Sequence, residues 1–187
     1  MGWAAAPVSA ATLTVCPSGC QYTQISTAAA AARDGDTIRV GPGRYRGGVR
    51  IEASLRLAGA GPRSTVIAGG GHVVTVGAIG AAREPVVSIS GVRITGGVAR
   101  SSPVSAPFTG RGGVLAGGGG VEIPPQAISA EGVPSGGATV VISGSVIDGN
   151  RADPAHTVPS GLPCAARCPF ALAAGGGIES WGRSSPR

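Results

Sequence analysis

The sequence predicts an all-β chain wound in stacked parallel coils. Two words recur in the same order along it. Short alternating apolar runs, separated by Gly, Pro and Ser, fill much of the rest. The apolar content is aliphatic, with only two Phe, two Tyr and two Trp in 187 residues. Gly contributes 34 residues without a Gly-X-Y period, which excludes collagen. High Gly with many β-branched residues favours short strands and tight turns.

The recurrence carries the most weight. "VVSISGVRITGG", residues 86–97, and "TVVISGSVIDGN", residues 139–150, lie at an offset of 53. They coincide at Val87/Val140, Ile89/Ile142, Ser90/Ser143, Gly91/Gly144, Ile94/Ile147 and Gly96/Gly149, six of twelve positions. "GGGVEI", residues 118–123, matches "GGGIES", residues 175–180, at an offset of 57. Two words repeated in order indicate a structural repeat, read as strand, Ser-Gly turn, strand, long loop, Gly run, strand. Long corner loops are expected near 98–116 and 151–173, where repeat proteins carry insertions, often on a binding face. Ile142 and Ile147 are expected deep in the aliphatic stack.

From the N-terminus, residues 1–11 read either as the remnant of a secretory signal, with Val8-Ser9-Ala10 as the cleavage pattern, or as a disordered Ala-rich end. Residues 12–187 are predicted as a single domain. "YTQISTAAAAAR" predicts a short capping helix with Thr23 as N-cap, Ile25, Ala28, Ala29 and Ala32 as its apolar stripe, and Gly35 as its stop. "TIRV", "VRI", "SLRL", "TVI" and "VVTV" follow as strands. Period two puts Ile38, Val40, Val49, Ile51, Leu55 and Leu57 on one face and Arg39, Arg50 and Arg56 on the other.

A hairpin sandwich would need a series of two-residue Asn-Gly or Asp-Gly turns, and "DGD" and "DGN" do not form one. Coils about 4.8 Å apart, with like residues stacked on like, fit better. Asn150 at a corner either joins such a ladder through its amide or takes a left-handed turn conformation. The chain halts at "GGGIESWGRSSPR", where another strand is due. An incomplete C-terminal coil is therefore expected, with an uncovered edge open to self-association.

The opening segment resembles that of the pectin-lyase-like right-handed parallel β-helix superfamily. The likeness rests on a strand, a capping helix, Gly35-Asp36, then Pro42-Gly43-Arg44-Tyr45 and "LRLAGAG" from Leu55 to Gly61. "GGGI" and "ISGSVIDGNRA" look like repeats of secreted bacterial β-helix proteins, including those similar to polymorphic outer-membrane proteins. The resemblance implies a right-handed parallel β-helix, a solenoid, with a short N-terminal capping helix, and a secreted or cell-surface location. It is specific for fold and weak for activity, because this scaffold carries lyases, hydrolases, esterases and adhesins.

Chemistry is sparse. All 15 basic residues are Arg, against four Asp and five Glu, and the formal net charge is +6. Anionic polysaccharide or cell-envelope polymer is the expected partner. Nucleic acid is disfavoured, since no Arg cluster is interleaved with stacking aromatics. No apolar run approaches the roughly 18 residues that span a membrane. The pairs Cys16/Cys20 and Cys164/Cys168 favour two local disulfides over zinc, whose cysteine pairs are usually spaced by two residues.

Lyases on the resembling scaffold use a carboxylate cluster for calcium and an Arg or Lys base; hydrolases use two or three acids around one sugar. Asp34 and Asp36 read as turn formers. His72 reads as a loop residue. Asp148, Arg151, Asp153 and His156 form the one compact polar constellation of the C-terminal half, suited to sugar binding, cation binding or acid–base work, or else a polar loop entry. Arg39, Arg50, Arg56 and Arg93 form an anion-binding stripe if neighbouring coils bring them together. No sequence word supports a cofactor, calcium included. The expectation is a non-catalytic binder of envelope polymer or polysaccharide; the alternative is a fragment of a polysaccharide lyase or hydrolase.

Overall fold

A computed structural model of the chain describes residues 9–100, 102–105, 112–124, 127–128, 134–135, 137–153, 170–174 and 176–180. Among these the fold is mostly strand with one helix. The chain opens with β1 (Thr12–Val15) and α1 (Ile25–Ala31). Two triplets follow: β2 (Thr37–Val40), β3 (Gly43–Arg46) and β4 (Val49–Ile51), then β5 (Arg56–Gly59), β6 (Thr65–Ala68) and β7 (Val74–Val76). Next come β8 (Val86–Ser90), β9 (Arg93–Thr95), β10 (Val98–Arg100), β11 (Ser102–Ser105), β12 (Gly112–Gly117) and β13 (Val121–Ile123). A small antiparallel pair, β14 (Ala127–Ile128) and β15 (Pro134–Ser135), precedes the last set. That set is β16 (Thr139–Ser143), β17 (Val146–Asp148), β18 (Arg151–Asp153), β19 (Phe170–Ala174) and β20 (Ile178–Ser180).

Three parallel sheets organise thirteen of these strands; apart from them, β10 pairs in parallel with β18, and β12 pairs in parallel with β19 and antiparallel with β11. The orders of the three sheets are β1-β2-β5-β8-β16, β3-β6-β9-β17 and β4-β7-β13-β20. Each passage of the chain adds one strand to the same edge of each sheet in turn. None of the sheets closes on itself.

Register explains the aliphatic sequence. In the first sheet Leu13, Ile38, Leu57, Ile89 and Ile142 occupy one ladder position on five successive strands. Tyr45, Ile67, Ile94 and Ile147 do the same in the second sheet. Val49, Val74, Val121 and Ile178 do so in the third. Ile38, Leu57, Ile67, Val74, Ile89, Ile94 and Val121 are wholly buried. The intervening positions face outward, as period two requires.

The repeated words pair with each other. Ile89 lies opposite Ile142 and Ile94 opposite Ile147, at the offset of 53 read from sequence. The same offset continues to Arg100 and Asp153. From Gly113 opposite Phe170 onward it is 57. Four extra residues therefore lie between 153 and 170. The repeated Ser-Gly turn has a backbone cause: Gly91 and Gly144 take φ of 64° and 54°, the left-handed region that disfavours a Cβ. Gly97 is required for close approach, since a Cβ there would overlap the Gly119 carbonyl oxygen.

Several expectations need correction. The stretches 98–116 and 151–173 are not loop throughout: they include β10, β11, most of β12, β18 and most of β19. Ile142 and Ile147 are only half-buried, because each belongs to the outermost strand of its sheet; the wholly buried partners lie one strand in, at Ile89 and Ile94. α1 begins at Ile25 behind an extended Gln24, not behind a Thr23 cap. The hydroxyl of Thr27 donates back to the Gln24 carbonyl at 2.8 Å. The helix also stops before Gly35: Ala32 is already extended, because the next amide, Arg33 N–H, is captured by Asp36 Oδ2 at 2.8 Å.

The expected stripe of α1 does bury Ile25, Ala28 and Ala29. The helix packs on β4, β1 and β2, so it covers the edge of β4, the terminal strand of the third sheet. An uncovered edge would offer unpaired amides and carbonyls to other chains.

An Ile89→Asp substitution should abolish cooperative folding, because it buries an unpaired carboxylate among aliphatics. Ile142→Asp, at a half-buried position, should lower the melting temperature without abolishing it. Thermal melts followed by circular dichroism compare the two; equal tolerance of both substitutions would contradict the ladder assignment.

Candidate functional site

The outward positions decide what the molecule can bind. Arg39 and Arg56 share the exposed side of the first sheet, but not one column: Arg39 lies opposite Ala58 and Arg56 opposite Thr37. Arg50 belongs to the third sheet, opposite Thr75. Arg93 belongs to the second, opposite Val66. The four arginines therefore do not make one stripe. Register spreads them over three faces, and only Arg39 and Arg56 are neighbours.

Arg93 is already engaged. Its Nε donates to Asp148 Oδ1 at 3.0 Å and its Nη2 to Asp148 Oδ2 at 2.7 Å. The fork joins β9 to β17 diagonally across the ladder. The Arg93 hydrogen bonds hold the Asp148 carboxyl below the usual carboxylate range, with partial desolvation opposing them; the Asp148 carboxylate in turn raises the Arg93 guanidinium. In the expected constellation, then, Asp148 turns to Arg93 rather than to Arg151. Arg151 and Asp153 lie on β18, opposite Val98 and Arg100 of β10. His156 lies outside the described residues.

Asn150 does use its side-chain amide, but on backbone groups rather than in a ladder of like residues. Its Oδ1 accepts from Gly97 N–H at 2.8 Å and its Nδ2 donates to the Ile94 carbonyl at 3.0 Å. The side chain thus ties the turn between β17 and β18 to β9 and the turn that follows it. Asp36 is a turn former as read; Asp34 lies in the same turn, but its carboxylate reaches other segments. Asp36, only 4% exposed, accepts from Ala11 N–H at 2.7 Å and from Arg33 N–H at 2.8 Å. Those backbone hydrogen bonds, Arg33 first and then Ala11, outweigh burial and lower its carboxyl pKa. Asp34 accepts from Ser54 N–H at 2.8 Å and pairs with Arg83 at 3.1 Å.

Two groupings have no clear signature in the sequence. The first is a groove of about 600 Å³ between α1 and the outer side of β4, lined in part by Ala29, Ala32, Arg33, Arg50, Glu52 and Arg83. Arg33 follows α1, Arg50 lies on β4 and Arg83 lies between β7 and β8, where it pairs with Asp34 at 3.1 Å, so three separate segments meet at the groove. The second centres on His72. Its Nδ1 lies 2.9 Å from the Gly118 carbonyl and its Nε2 3.5 Å from Glu122 Oε2. Thr75 Oγ1 donates to the same Glu122 oxygen at 3.4 Å. His72 is outside the strands, as read, but it is tied to the next layer. Glu122 stands in register with Thr75 on one side and Glu179 on the other.

Cys16 and Cys20 are joined as a disulfide, with Cα atoms 5.5 Å apart. Cys164 and Cys168 lie outside the described residues. Among the described residues no group of three His, Cys, Asp or Glu converges as metal ligands. No helix there is long and apolar enough to cross a membrane. No family model, curated protein or solved structure matches the chain.

Asp36 generates a pH prediction. Its folded pKa is depressed, so its stabilisation is present above the unfolded carboxylate value, about 3.9, and is lost as pH falls through the lower folded value. Asp36→Ala leaves two amide donors without their acceptor and should cost about 1–3 kcal/mol at pH 7. Melts between pH 7 and pH 2 should show a shallower acid loss in the variant; parallel wild-type and variant curves would contradict this role.

Proposed function

We propose that the chain is a right-handed parallel β-helix, secreted or held at the cell surface, that binds an anionic envelope polymer or polysaccharide without cleaving it. Three sheets visited in turn, each gaining a strand in parallel at every passage, support the winding. The right hand follows from the general preference of parallel crossovers. The disulfide at Cys16 and Cys20 is consistent with an oxidising compartment.

One observation carries the binding reading. Arg39, Arg44, Arg46, Arg50 and Arg56 occupy exposed strand positions and make no ion pair among the described residues. A guanidinium presents a planar fork that matches carboxylate and phosphate. Left unpaired in two near pairs, Arg39 with Arg56 on the first sheet and Arg44 with Arg46 on the second, with Arg50 on the third, such groups suit a long ligand with many negative charges that crosses more than one face. Each contact is individually weak, since exposed charge pairs contribute about 0–1 kcal/mol, so affinity must come from many contacts on one polymer.

The alternative, a fragment of a polysaccharide lyase or hydrolase, draws support from the pairing of His72 with Glu122 at the molecular surface. An imidazole and a carboxylate in reach of each other are a common acid–base combination.

Chromatography on immobilised polygalacturonate tests the binding reading. The protein should be retained at low salt and released as ionic strength rises, because exposed charge contacts are screened. Retention indifferent to salt, or no retention, would contradict it. Incubation with soluble polygalacturonate separates the alternative: newly formed reducing ends or unsaturated products, lost in His72→Ala, would favour the enzyme.

A further inference from the structure

We infer that the groove between α1 and β4 is a subsite for one carboxylated sugar residue of such a polymer. This rests on the polyanion reading and gives it a location and a chemical class. The groove's volume, about 600 Å³, lies within the usual range for small-molecule sites. Ala30, Ala32 and Ala53 of its lining form a floor of small apolar side chains that leave room and offer a surface to the C–H face of a pyranose.

Charge decides between ligand classes. The lining contains three arginines, Arg33, Arg50 and Arg83, and two acids, Asp34 and Glu52. Arg83 and Asp34 already pair with each other at 3.1 Å. Arg33 and Arg50 then remain against Glu52, a net of one positive charge. A single carboxylate matches that balance. A densely sulfated or phosphorylated unit would bring its charges against Glu52 and the Asp34 carboxylate. Glu52 is suited to accept from sugar hydroxyls, which a uronate retains and a heavily sulfated sugar does not. Arg50, read from sequence as one member of a stripe, becomes in the structure one wall of a pocket whose other wall is the helix.

Isothermal titration with trigalacturonate tests this on the full chain. Two double variants remove equal charge: Arg33→Gln with Arg50→Gln in the groove, and Arg63→Gln with Arg100→Gln outside it. The groove pair should weaken binding by at least about tenfold, while the outside pair should change it less than about threefold. Ala53→Leu should also weaken binding by filling the floor without altering charge; a matching melting temperature would show that the fold survives. Equal losses in the two double variants, or an unaffected groove variant, would overturn the subsite and leave the polymer reading standing. Failure of the wild type to bind either trigalacturonate or polygalacturonate would overturn both.

Discussion

Parallel register between like aliphatic residues is the constraint on which the rest of the structure depends. Leu13, Ile38, Leu57, Ile89 and Ile142 stand at one ladder position through five strands, and the other two sheets have equivalent columns. Aromatic residues are few, and among the described residues Tyr45 is the one buried aromatic in the core. The chain must bury Val, Ile and Leu in quantity, each contributing about 1.5–3 kcal/mol when wholly enclosed. A slip of one residue in any strand would turn its buried set outward and its arginines inward. The alternation of Ile38, Arg39 and Val40 shows the penalty plainly, since the displaced register would bury a guanidinium.

Corners are under equal constraint. In the three main parallel sheets, strands of three to five residues leave little length between turns, so turn geometry and strand register must agree. Tyr45 shows how. Its ring lies in the buried column of the second sheet, and its hydroxyl donates at 2.9 Å to the carbonyl of Gly41, at the preceding corner. One side chain thus fills the core and closes the turn. Asn150 binds a corner to the layer below, and Asp36 organises the turn that follows the helix. The cationic groups are what remains once these positions are assigned. They face outward because they cannot be buried unpaired, and the same alternation spaces them along rigid strands.

Sequence made the strands, the aliphatic columns and the pairing of repeated words legible. Short-range alternation and a fixed offset both survive in one dimension. Residues 86–97 and 139–150 pair as their likeness suggested. What escaped reading depends on distance in space. Arg39, Arg50, Arg56 and Arg93 look alike as outward residues, but nothing local says that three sheets divide them, or that Arg93 is taken up by Asp148. The start of α1 was misplaced because Thr23 is a better capping type than Gln24, and the capture of Arg33 N–H by Asp36 ended the helix earlier than Gly35 suggested. Arg33, Arg50 and Arg83 come from three separate segments and share a groove only in the folded chain. The tie between His72 and Glu122 spans two layers and leaves no local pattern.

Cysteine cross-linking measures the register directly. Ser90 and Ser143 are outward ladder partners on β8 and β16, so Ser90→Cys with Ser143→Cys should form a disulfide under mild oxidation, mapped by peptide mass spectrometry. Ser88→Cys with Ser143→Cys, displaced by two residues, should not. Efficient bridging of the displaced pair, with none between the true partners, would contradict the parallel ladder.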